Sequence, residues 1–136
     1  MNPLSKFRST LRIITVVTAT LAGVSHAATP AELLSGYVAQ AGSIGVSARG
    51  LQFFNARHGR EWSCASCHGT SPMQVGRHAS TGKPIAAMAP AVNAERFADS
   101  TKTEKWFRRN CNDVLGRECT AAEKADILSW LITLKP

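Results

Sequence analysis

A chain of 136 residues has the length of a single domain, and its 16 Lys and Arg against 9 Asp and Glu give a formal net charge of +7. Lys6, Arg8 and Arg12 account for three of the cations and no acid lies among the first 27 residues, so the remainder carries 13 against 9, or +4. A balance that modest carries no nucleic-acid inference, and no nucleic-acid partner is expected.

Those three cations open the chain, Ile13 to Val24 follows as an apolar run too short to span a bilayer, and Ser25-His26-Ala27 places small residues where a signal peptidase cuts. Residues 1–27 are therefore expected to be a cleaved signal peptide and residues 28–136 one exported, periplasmic domain. After cleavage no apolar run is long enough to cross a membrane. Such a small domain buries little surface and needs a staple or a large apolar ligand, and its four cysteines suit an oxidising compartment.

Thr29-Pro30-Ala31-Glu32 is a capping box with proline at the first helical position, and Leu33, Leu34, Tyr37 and Val38 continue at helical spacing as far as Gly42. A second helical pattern runs from Ser47 to about Ala56 with Leu51, Phe53 and Phe54, and yields to the turn-prone His58-Gly59-Arg60. Gly69 to Pro90 holds three prolines and little apolar periodicity, which predicts a long wrapping loop without regular structure, supported by something large to pack on. Thr101-Lys102-Thr103-Glu104 reads as a second capping box, opening a helix on which Trp106, Asn110 and Val114 share a face. Thr120-Ala121-Ala122-Glu123 is a third, and Ile127, Leu128, Trp130, Leu131 and Leu134 give the last helix its apolar side. With no convincing strand alternation, the expected class is all-α.

Cys64-Ala65-Ser66-Cys67-His68 is the spacing at which two thiols add across the two vinyl groups of haem while the adjacent histidine reaches the iron. One covalent haem c, with Cys64, Cys67 and His68 as its attachment set, is the expectation. A thioredoxin-like pair wants a βαβ framework, and a zinc site wants a second close pair of cysteines, whereas seven residues separate Cys111 from Cys119. In an exported domain those two are expected to form a disulfide closing a short loop.

With His68 on one side of the iron, the ligand on the other decides between an electron carrier and a site open to gases. Met73, Met88, His58, His78 and Asn110 are the candidates. Met73 lies close to the attachment motif, Met88 sits before Ala89-Pro90 where it can equally pack on the haem edge, and the two histidines lie in polar stretches.

The chain resembles the SHP-type class I c-type cytochromes, small oxygen-binding monohaem proteins with an asparagine as sixth ligand. The likeness rests on Thr29 to Tyr37, Cys64 to Gly69, Thr81-Gly82-Lys83 with Ile85-Ala86, Glu104 to Asn112, Gly116 to Thr120, and Glu123 to Asp126. It implies the small class I cytochrome c fold, Asn110 as the iron ligand opposite His68, and a disulfide between Cys111 and Cys119. It also implies a dihaem cytochrome c as electron donor, binding of O2, NO or CO once Asn110 leaves on reduction, and oxygen or nitric oxide reactivity without a committed catalytic role. Trp106 is expected to pack on the haem near Asn110 or else in the ordinary core. Met88 departs from the family pattern, where a non-ligating apolar residue is expected, and leaves a plain carrier with fixed His68 and Met88 ligands as the rival.

Overall fold

The computed structural model describes residues 27–136; the expected signal segment, Ala27 apart, lies outside the described residues. Helix α1 spans Pro30–Ala41, and its ends are those the sequence signals: Thr29 Oγ1 accepts from the Glu32 N–H, the Glu32 carboxylate accepts from the Thr29 N–H at 2.7 Å, and Gly42 closes the helix at φ 63°. Helix α2, Ser47–Asn55, has no cap of its own. Its missing acceptor comes from the last helix, α5 (Ala121–Thr133), where the buried Asp126 accepts from the Val46 N–H at 2.6 Å and from the Arg49 guanidinium at 2.7 and 2.8 Å. Gly50 and Gly45 make this possible, because a Cβ on Gly50 would run into the backbone carbonyl of Asp126 and one on Gly45 into that of Ala125.

Helix α5 packs on both α1 and α2, and the centre of that packing is the fully buried trio Phe54, Leu128 and Leu131, with Tyr37, Ile127 and Trp130 around it. Its capping box forms at Thr120 and Glu123 as the sequence indicates. Between α2 and α5 come the short α3 (Cys64–His68), the strands β1 (Gly76–Arg77) and β2 (Pro84–Ile85), and α4 (Ser100–Leu115). The class is all-α, as expected.

Two local expectations need correction. The stretch from Gly69 to Pro90 is not wholly irregular: β1 and β2 pair antiparallel, Gly76 opposite Ile85 and Arg77 opposite Pro84. His78 Nδ1 accepts from the Thr81 N–H at 3.3 Å, and the His78 N–H donates to Lys83 O at 2.9 Å, closing the turn. Strands of two residues are too short to show alternation in sequence. Helix α4 begins two residues earlier than the Thr101 box proposes. Asp99 is its cap, accepting from the Lys102 N–H at 2.8 Å. Aspartate caps as well as threonine, and Glu104, the partner the box requires, is engaged elsewhere.

That engagement fastens α4 to the other helices. Tyr37 Oη donates to Glu104 Oε1 and Lys124 Nζ to Oε2, each at 2.6 Å, while the Tyr37 and Phe107 rings meet edge to face at 5.9 Å under the Lys124 ammonium. Burial raises the Glu104 pKa, but the hydrogen bonds from Lys124 and Tyr37 and the charges of Lys124 and Arg108 outweigh it, leaving the carboxyl below its ordinary 4.5. A depressed carboxyl pKa contributes stability that is present above the unfolded value and is lost as pH falls through the folded one. Stability is therefore expected to decline from pH 4.5 downward. In acid-unfolding curves Glu104→Gln is expected to flatten that part of the decline, and curves of identical slope would show that the carboxylate contributes nothing.

Candidate haem site

The attachment segment is held as one helical turn by its own small residues. Ser63, buried, caps α3 by accepting from the Ser66 N–H, and the Ser66 hydroxyl accepts from the Ser63 N–H at 3.0 Å. Cys64 and Cys67 are half-buried free thiols on that turn. Burial pushes the Cys64 thiol up to about 11, so it waits as a thiol rather than a thiolate, and Cys67 Sγ accepts from the Ala79 N–H at 3.3 Å. Gly76 of β1 lies so close to the Cys67 carbonyl that no side chain fits between them. The strand pair absent from the sequence reading is thus what backs the attachment turn.

His68 ends α3, half-buried, with its ring centroid 6.1 Å from that of Phe54, which in turn lies 5.0 Å from Trp130. Phe54 links the site to the core of α5, a role that its helical spacing alone does not distinguish from ordinary packing. Burial, with a contribution from the positive Arg96, pulls the His68 imidazole down to about 4. At neutral pH the ring is uncharged and keeps a lone pair, the form in which imidazole binds a metal. Among the described residues nothing hydrogen-bonds either ring nitrogen.

The other candidates separate clearly. His58 is spent on structure, its Nε2 donating to Phe53 O at 2.9 Å and its ring stacked on Phe53 at 4.2 Å. His78 is committed to its turn through Nδ1. Met73 is half-buried beside the fully buried Pro72. Met88 packs against the hydrophobic cluster, and its N–H donates to Pro72 O at 2.8 Å.

Asn110 differs from all of these. Asn55, Asn93 and Asn112 each donate an amide N–H to a carbonyl, of Leu51, Ala87 and Arg108, whereas Asn110 alone of the described asparagines has no partner for its carboxamide although it is half-buried. It precedes Cys111, which is disulfide-bonded to Cys119 with Cα atoms 5.5 Å apart, so those cysteines are not available to complete a zinc site.

The core-facing stripe of α4 is Thr103, Phe107, Cys111 and Val114. Trp106, Asn110 and Val114 do not sit on it equally, because each four-residue step advances about 40° round a helix. Val114 is buried, Asn110 lies at the flank, and Trp106 is 42 % exposed with the Arg109 guanidinium 5.6 Å from its ring centroid.

Two free cysteines and an imidazole that is neutral at ordinary pH lie on one helical turn, and they suit covalent haem. Comparison with known proteins agrees. A family model described as a domain of unknown function, DUF1924, matches residues 41–131. The cytochrome c-type protein SHP of Cereibacter sphaeroides is 43 % identical over 122 residues, covering 85 % of this chain and 94 % of that one. The structure of oxidised SHP, described as an oxygen-binding cytochrome c, superposes with a TM-score of 0.75 at 42 % identity over 79 % of this chain and 99 % of the other. The solution structure of Methylophilus methylotrophus cytochrome c'', studied for the structural basis of haem-ligand detachment, gives 0.68 at 36 % identity over 79 % and 94 %. The chain therefore belongs to the DUF1924 family and to its SHP-type cytochromes, proteins of the c-type class, which is defined by covalently bound haem c.

Proposed function

We propose that this chain is an exported, periplasmic electron-transfer protein in which Cys64 and Cys67 hold one haem, His68 ligates its iron, and Asn110 is a weak opposite ligand that leaves on reduction. When bound, the haem would supply a one-electron iron couple and a site for a diatomic gas. The observation that carries the reading is the half-buried Asn110 carboxamide, without a partner among the described residues and adjoining a disulfide. A neutral carboxamide is a poor ligand for the softer ferrous ion, so reduction weakens its hold while the disulfide keeps its backbone in place. The oxygen binding named for SHP and the ligand detachment named for cytochrome c'' support the same behaviour here.

The signal-like residues 1–27 supply export, 28–136 form the cytochrome domain, and a dihaem cytochrome c is the donor. No helix among the described residues is long and apolar enough to cross a membrane. Trp106, one turn before Asn110, supplies apolar surface at the haem edge. Met88 packs, partly buried, against the core cluster, and a carrier with Met88 as a fixed ligand is the rival reading.

Carbon monoxide added to the reduced protein tests the site. Rapid binding with a shift of the Soret band is expected, and an unchanged spectrum would leave the Met88-ligated carrier as the better description.

A further inference from the structure

We infer that Arg96 binds a haem propionate: its guanidinium is the half-buried cation that the Ala86 and Ala87 carbonyls aim, and no acid among the described residues pairs with it. The inference rests on the haem assignment above. Among the described residues every other arginine is exposed. The ion pairs engage Arg49, Arg117 and Lys124, leaving Arg96 without a carboxylate. Its Nε donates to Ala87 O at 3.1 Å and its Nη2 to Ala86 O at 2.7 Å, so the fork is fixed in direction while the Nη1 group and one N–H of Nη2 stay available. Ala87 O also accepts from Asn93 Nδ2 at 2.8 Å, which braces the same loop.

The backbone beside it is strained. Phe97, buried, has φ 64°, a left-handed conformation that no other described non-glycine residue adopts. Such a conformation costs roughly 1–3 kcal/mol in a bulky residue and persists only where the surroundings dictate it. Here it turns the chain so that Phe97 enters the core while the Arg96 fork lies on the Ala86 and Ala87 carbonyls.

A desolvated cation without a counter-charge is unfavourable, and burial accordingly lowers the Arg96 pKa. The loop that aims it is tied to the segment following the attachment turn, since the Met88 and Ala89 N–H groups donate to Pro72 O at 2.8 and 3.0 Å, and Phe97 belongs to the cluster against which Cys64, Ala65 and Met88 pack. The anion best matched to a planar fork is a carboxylate, which it can hold with two parallel hydrogen bonds. Haem brings two such groups with it, and a free anion of similar charge is the other possible source.

The test is the reduction potential of purified holoprotein between about pH 4 and 8, the range in which carboxylates and their raised forms titrate, for wild type, Arg96→Gln and Arg96→Lys. A propionate that loses a guanidinium partner rises in pKa by roughly 1–3 pH units. The Arg96→Gln potential is therefore expected to acquire a pH-dependent segment at pH values where wild type is flat. Arg96→Lys, which keeps the charge but not the fork, is expected to show a smaller rise and serves alone if the glutamine variant does not accumulate. Curves that are parallel at every pH would overturn the inference, since a cation acting only through space moves the potential uniformly. A wild-type potential that follows added inorganic phosphate at constant ionic strength would assign Arg96 to a free anion instead and overturn it equally. A wild-type preparation without covalent haem, by pyridine haemochromogen, would overturn the haem assignment itself, whereas red protein with parallel curves overturns this inference alone.

Discussion

Asn110→Ala is expected to leave the haem covalently attached and to convert the ferric absorption spectrum from low spin to high spin. Attachment survives because Cys64, Cys67 and His68 lie on α3, which shares no hydrogen bond with α4. The fold survives because the Asn110 carboxamide has no protein partner and only half-buried surface, so its loss costs no more than about 0.5 kcal/mol, the range of substitutions away from packed or bonded groups. What changes is the field at the iron, because the alanine methyl offers no donor atom. Met88→Leu is the control and is expected to remain low spin, since leucine keeps the partly buried contact with the hydrophobic cluster and leaves Asn110 in place. A ferric Asn110→Ala protein that stayed low spin would assign the ligand to another residue, and a high-spin Met88→Leu would name it.

The double variant Cys111→Ser, Cys119→Ser separates the two jobs of the disulfide. The bridge spans a sequence separation of 8, joining the last turns of α4 to the residue before the α5 cap. Closing so short a loop contributes about 2–3 kcal/mol by chain entropy, on a model whose enthalpic share is disputed. Denaturant unfolding of the variant holoprotein is expected to show that loss in its midpoint at unchanged slope. The second job is local. Gly116 at φ 74°, the paired Arg117 and Glu123 at 2.6 Å, and the α5 capping box fix the far end of the loop, so the bridge transmits that rigidity to the residue beside Asn110. Removing it is expected to lower the low-spin fraction of the ferric protein on warming. A variant that loses stability but keeps the wild-type spin equilibrium at every temperature would show that α4 holds Asn110 without help.

Features carried by contiguous residues were legible without a structure. The boxes at Thr29 and Thr120 form as written and α1 stops at Gly42, because a cap is a contact between near neighbours in the chain and depends on little else. Cys64 to His68 declare covalent haem for the same reason, since the chemistry needs two thiols and an imidazole within one turn. The box at Thr101 fails where a distant demand competes: Glu104 is drawn to Tyr37, 67 positions away, and to Lys124, and Asp99 takes over the cap. The two-residue strands could not be seen because a ladder that short leaves no periodicity.

By itself, then, the sequence determined the helix order, the attachment turn, the cysteine pair and, through its likeness to SHP-type proteins, the family. Only the tertiary structure shows which polar groups are already engaged: His58 and His78 enter local hydrogen bonds, while among the described residues the Asn110 carboxamide has no partner and Arg96 no acid. The physical reason is that a motif is a property of neighbours along the chain. Whether a donor is free is a property of everything folded around it, and burial sets the cost of leaving it so.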